Sequence, residues 1–117
     1  MNIEFCARVN ALCAIFPGSW ESVDRTPTHN ANIGGAPSSW HVRGEAVDLI
    51  YDSRELLLHA AREAIRQGFQ GVEVDTINSH LHLDNRPDSW KVVYVLNTQT
   101  HRREQKNLTE YLITAIV

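Results

Sequence analysis

Five residues, His80-Leu81-His82-Leu83-Asp84, constrain this chain more than any other stretch. Apolar and polar residues alternate with a period of two, which is the period of a strand. Leu81 and Leu83 therefore turn to one face, and His80, His82 and Asp84 to the other. The leucines suit a core. The three ionisable groups opposite them need solvent or a ligand, and imidazoles on a strand anchored from behind can converge on a metal ion.

A second stretch, SSWHVRGEAVDL at residues 38–49, offers the rest of such a centre. His41 and Asp48 are seven residues apart, an odd number, so one unbroken strand would send them to opposite faces. A turn at Gly44, where positive φ is tolerated, brings His41 round to the face of Asp48. Ala46 shares that face, and its small side chain leaves room for an ion. Two imidazoles and one carboxylate form a three-ligand catalytic zinc set, with water in the fourth position. The mixed donors favour zinc, while cobalt and manganese remain compatible. His59, on a helix face, and His101, in a polar stretch, read as ordinary surface residues.

The remaining pattern supplies the scaffold. Phe5, Val9, Leu12 and Phe16 recur at three- and four-residue spacing, which predicts a helix over 3–16 ended by Pro17-Gly18. Residues 19–24 suit a short strand. The stretch 24–39, rich in Pro, Gly, Asn and Ser, reads as a long loop, and a connection of that length in a small domain is usually functional. A strand is expected over 45–51. Asp52 offers an N-cap with Glu55 completing a capping box, and a helix should run to Gln67 with Gly68 just beyond it. Its apolar side carries Leu57, Ala60, Ala61, Ala64 and Ile65. Strands are expected over 71–75, 80–84 and 91–96. From Glu104 the tail passes into an amphipathic helix through Leu108, Tyr111, Leu112 and Ala115, packing on the sheet or on another subunit. This order predicts an α+β fold, with a small, mostly antiparallel sheet flanked by helices.

Composition narrows the function classes. The 117 residues suit one domain spanning 1–117, and 43% apolar with 21% charged residues is globular composition. The net charge of −3 gives no basic field to hold nucleic acid. No run approaches the roughly 20 apolar residues of a membrane span, and the start MNIEFCARVN lacks the layout of a signal peptide. A cytoplasmic site of synthesis without membrane insertion is expected, as a monomer or weak homodimer. Cys6 and Cys13 lie about two helical turns apart, too far for a disulfide within the helix, and read as reduced packing residues.

Arg25, Asn30, Gly34-Gly35-Ala36, then Ser39, His41, Gly44, Ala46 and Asp48, and finally His80, His82 and Asp84 follow one another in a specific order. That order resembles the zinc D-Ala-D-Ala carboxypeptidases and endopeptidases of the bacterial cell wall, which share a fold with lysostaphin-type enzymes and the hedgehog signalling domain. The resemblance covers more than half of the chain. It implies zinc held by His41, Asp48 and His82, with Arg25 binding the substrate carboxylate or polarising the scissile carbonyl. It also implies that Ser39 bonds substrate or fixes the loop, and that Asp84 orients His41 from behind. Trp40 stands where the family often has a polar residue, which alters the rim of the pocket.

One position departs from the pattern. Several branches carry a Glu or Asp three residues before the last ligand, and this chain has Ser79 there. Branches with His-x-His lack that carboxylate too, so His80 is assigned to stabilising the oxyanion or transferring protons. Glu73 and Asp75 are two further carboxylates near the site, more readily read as turn or strand-end residues. The implied substrate is a peptidoglycan stem peptide containing D-amino acids, cleaved by a carboxypeptidase or a lysin-type endopeptidase. A phage or prophage lysin released by lysis fits the absence of a secretion signal. Two other readings stand beside it: a zinc-bearing binding module without hydrolytic activity, for which Ser79 speaks, and a hydrolase of another bond preference.

Overall fold

A computed structural model describes residues 2–22 and 44–116 of the chain. Within them the elements follow as α1 (Ile3–Ile15), β1 (Ser19–Ser22), β2 (Ala46–Ile50), α2 (Arg54–Arg66), β3 (Gly71–Asp75), β4 (His80–Asp84), β5 (Trp90–Asn97), β6 (Arg102–Asn107) and α3 (Leu108–Ala115). The fold is α+β, and the strands form one sheet in the order β1-β2-β4-β3-β5-β6. All pairings are antiparallel except β3 with β5.

Register explains how the sheet separates fold from chemistry. Val47 faces Leu83 across β2 and β4, Leu83 faces Val72 across β3, and Val74 faces Val93 on β5. These side chains lie on one face and join a buried cluster with Phe5, Val9 and Leu12 of α1, with Leu57, Leu58, Ala60, Ala61 and Ala64 of α2, and with Leu108 and Leu112 of α3. Residues one step along each strand fall on the other face. There Asp48 stands opposite His82, and His82 opposite Glu73. No helix among the described residues is long and apolar enough to cross a membrane.

Local chemistry sets the ends of the elements. In α1 the Asn2 side chain accepts from the Phe5 amide, and the helix stops where Pro17 and Gly18 follow. In α2 the cap is Ser53, whose hydroxyl accepts from the Leu56 amide, so the expected Asp52–Glu55 capping box does not form. Gly68 follows that helix at φ 90°, the left-handed conformation that glycine takes without penalty. Cys6 and Cys13 are free thiols, and Cys13 packs against the core.

The C-terminal region corrects the sequence reading. Arg102–Asn107 forms an edge strand against β5 before α3 begins, with Asn107 as the helix cap, accepting from the Glu110 amide. Every residue of that strand is exposed. Its sequence, RREQKN, has no apolar alternation, so backbone pairing forms it with help from Arg103 over the Tyr94 ring and from the Tyr94–Gln105 bond, and edge charges of this kind discourage pairing with other chains. In α3, Leu108 and Leu112 are buried, Tyr111 packs against the cluster, and Ala115 is exposed.

Candidate active site

The centre of the polar face is His82. Its ring is clamped at both nitrogens: Nδ1 lies 2.9 Å from Asp48 Oδ1, and Nε2 lies 2.8 Å from Asp84 Oδ2. Strand pairing makes this possible, because Asp48 is the direct cross-strand partner of His82, while Asp84 follows it by two on the same strand. Burial opposes a charge on the imidazole. The hydrogen bonds with Asp48 and Asp84, aided by the charges of Asp48 and Glu73, outweigh it and raise the ring to about 9.

Asp84 is fully buried, which is costly for a carboxylate unless its oxygens are satisfied. Arg86 satisfies them. Its Nε donates to Oδ1 at 2.8 Å, its Nη2 to Oδ2 at 2.5 Å, and its amide to Oδ1 at 3.2 Å. Burial by itself would raise the carboxyl, but the bonds from Arg86 and His82 prevail and hold it far below the usual carboxylate range. Gly71 and Ala46, the cross-strand neighbours on either side, leave the space. A Cβ at Gly71 would come within 1.8 Å of Asp84 Oδ1, so no larger residue fits beside this carboxylate as it stands.

Around this pair the face is polar and aromatic. The Trp90 indole donates to Glu73 Oε1 at 2.6 Å, and the Arg86 guanidinium lies 5.3 Å from the Trp90 ring centroid. His80, on the same face as His82, pairs with Glu21 of β1 at 3.1 Å. Asp75 ties off the β3–β4 turn, accepting from the Ile77 and Asn78 amides. Ser79 has φ 59°, and its hydroxyl donates to the Tyr51 carbonyl at 2.7 Å. It is committed to the turn.

The residues singled out in the sequence thus divide. Asp48, His82, Asp84 and His80 share one face of adjacent strands β2 and β4. Asp84 reaches His82 and Arg86, and its expected partner His41 lies outside the described residues. Arg25, Asn30, Gly34-Gly35-Ala36, Ser39, Trp40 and His41 lie outside the described residues. Arg86 and Glu21 were not foreseen. Arg86 had a faint signal, a cation two residues past the last acid of the motif, while Glu21 had none.

The donor chemistry fits zinc as far as the described residues reach. His82 Nδ1 and Asp48 Oδ1, hydrogen-bonded at 2.9 Å, stand about half an ångström closer than the roughly 3.3–3.6 Å between two tetrahedral ligands each about 2.0–2.2 Å from one ion, so a small parting of the pair would admit it. The carboxylate on the far nitrogen of His82 is the outer-shell partner that metal-bound histidines usually have. Among the described residues no group of three such side chains gathers to hold an ion, so a full set needs a further donor.

A family model described as Peptidase M15 matches residues 6–84, more than half of the chain and the span that holds Asp48, His80, His82 and Asp84. No curated protein matches the chain.

Proposed function

Because the chain belongs to the Peptidase M15 family, we propose that it is a zinc metallopeptidase that hydrolyses peptide bonds in peptidoglycan stem peptides, as a D-Ala-D-Ala carboxypeptidase or a lysin-type endopeptidase. The observation that carries this reading is the convergence of Asp48 Oδ1 and His82 Nδ1 at 2.9 Å, with Asp84 behind the ring. His41 is the third ligand in this reading. Zinc supplies Lewis-acid activation of water and of the scissile carbonyl when bound.

The chain's own residues do the rest. Asp84, locked by Arg86, fixes the His82 ring so that Nδ1 stays aimed beside Asp48. The buried leucines behind β4 keep that strand from shifting under the site. His80 stabilises the oxyanion or moves a proton at the scissile bond, and Arg25 binds the substrate carboxylate or the carbonyl oxygen, its guanidinium offering a fixed fork of donors. Ser39 contacts the substrate or secures its own loop.

A second reading, a zinc-bearing module without hydrolytic activity, is favoured by one observation. The residue three before His82 is Ser79, and its hydroxyl is spent on the Tyr51 carbonyl rather than directed at the site. Mass spectrometry of purified peptidoglycan fragments incubated with the zinc-loaded protein separates the two. Release of D-alanine or cleavage within the stem is the expected outcome. Intact fragments across a broad panel would hand the case to the binding module.

A further inference from the structure

Strand β1 breaks register beside the candidate centre. Trp20 pairs with Leu49 and Ser22 with Asp48, so β1 advances by two residues where β2 advances by one. Glu21 is the extra residue of this bulge. Bulges re-aim the side chains they contain and recur next to active sites. Here the Glu21 carboxylate spans β2, and its Oε2 comes to 3.1 Å from Nε2 of His80 on β4. An uninterrupted ladder would have set residue 21 opposite Asp48, the place that the bulge gives to Ser22.

We infer that Glu21 is a positioning residue for His80. A carboxylate facing Nε2 favours the proton on that nitrogen, which leaves Nδ1 as the acceptor the ring presents elsewhere. Among the described residues, no other side chain bonds the His80 ring. His80 is one same-face step along β4 from His82, about 7 Å for two residues of strand, so a fixed ring sits within reach of a substrate held at the Asp48–His82 pair. The inference rests on the proposed peptidase reading for the use of His80, but not for the contact itself. Its content is that the bulge supplies, from another strand, the carboxylate that orients the working group of a chain whose position 79 is a turn serine.

The test uses the full zinc-loaded chain and the variants Glu21→Ala, Glu21→Gln and His80→Ala. Long-range nitrogen–proton NMR reads the imidazole tautomer, with the His80 signals identified by their loss in His80→Ala. The parent should show the proton on Nε2, and Glu21→Ala should show a mixture of tautomers. On a D-amino-acid-containing stem peptide, Glu21→Ala should lower kcat by about tenfold or more at nearly constant KM, since proton-transfer groups supply roughly 10²–10⁴-fold. Glu21→Gln keeps the length and one acceptor oxygen and should recover part of that loss. In the His80→Ala background, Glu21→Ala should have no further effect. An unchanged His80 tautomer in Glu21→Ala overturns the inference, and so do equal losses with and without His80. A parent that cleaves no peptide removes the peptidase reading, while the tautomer measurement still decides the role of Glu21.

Discussion

The two faces of β4 are made of the same five residues and obey different rules. Leu81 and Leu83 are fully buried against the helices, and Asp84 is equally buried on the opposite side. The leucines are held by area removed from water, which is non-directional and forgiving of small shifts. Asp84 is held by three donor groups of Arg86 and one of His82, each with a required direction. One face tolerates apolar exchange of similar volume, and the other tolerates almost nothing at Asp84. The difference teaches that this sheet stabilises itself from behind and spends its front on fixed geometry.

The largest expected effect comes from breaking the front. Asp84→Ala strands the half-buried Arg86 guanidinium and removes a partner of His82; deleting one member of a fully buried pair typically costs about 3–5 kcal/mol, and with Arg86 partly in water about 2–4 kcal/mol is expected. Leu83→Ala, one residue away on the other face, should cost about 2–5 kcal/mol through lost burial and a cavity. Denaturant melts of the two variants compare the faces directly. The variants should part in zinc binding: Leu83→Ala keeps it, whereas Asp84→Ala weakens it by about 10–100-fold because His82 loses its outer anchor. A cost for Asp84→Ala under about 1 kcal/mol would show that the polar cluster is an ornament on a sheet stabilised wholly by its apolar face.

Metal removal probes the front without touching the back. Zinc bound by the native chain alone should stabilise it by about 2.7–4 kcal/mol at 100–1,000 times Kd, and chelation should lower the melting temperature accordingly. His82→Ala should lose most of the zinc and become indifferent to chelator. Elemental analysis alongside calorimetry checks both statements, and full zinc retention in His82→Ala would remove His82 from the ligand set.

A third comparison lies between the strands. Gly71→Ala adds a single methyl group on the polar face, where it would meet the Asp84 carboxylate at 1.8 Å. Backbone or carboxylate must move, at a cost of about 1–3 kcal/mol by the measure of overpacked cores. A melt equal to the parent's would mean that Asp84 can leave its place freely, contrary to the fixed geometry argued for it.

How far each face was legible follows from the same contrast. The apolar face announces itself by period: β3 and β4 fall at 71–75 and 80–84 as the alternation requires, and Gly68 marks the end of α2. On the polar face the residue types were readable and their partners were not. Register between β2 and β4 sets Asp48 beside His82 across 34 residues of sequence, and alternation alone cannot fix that pairing. Asp84 was legible as an acid orienting a ligand from behind, but not its depth, for Gly71 opposite it and Arg86 folding back bury it completely. Strand β6 escaped because RREQKN has no apolar alternation to betray a strand, and the bulge at Glu21 escaped because register breaks leave no compositional trace.

The smallest expected effect on stability is also the sharpest test of what the front is for. His80 and Leu81 are adjacent on β4, one about a third exposed and, among the described residues, paired with Glu21, the other fully buried. Leu81→Ala should cost about 2–5 kcal/mol and lower activity only through loss of folded protein. His80→Ala removes no buried apolar area and no buried bond, so its melt should stay within about 0.5 kcal/mol of the parent. Turnover on stem peptide should nevertheless fall by about a hundredfold, as expected for loss of a proton-transferring or oxyanion-stabilising group, with zinc content unchanged. Paired melting and kinetic measurements on the two variants give four numbers that must cross, the stable variant inactive and the unstable one active per folded molecule. If His80→Ala turned over peptide as well as the parent, His80 would be a surface residue of the zinc face, and the work assigned to it would have to fall to Arg25 alone.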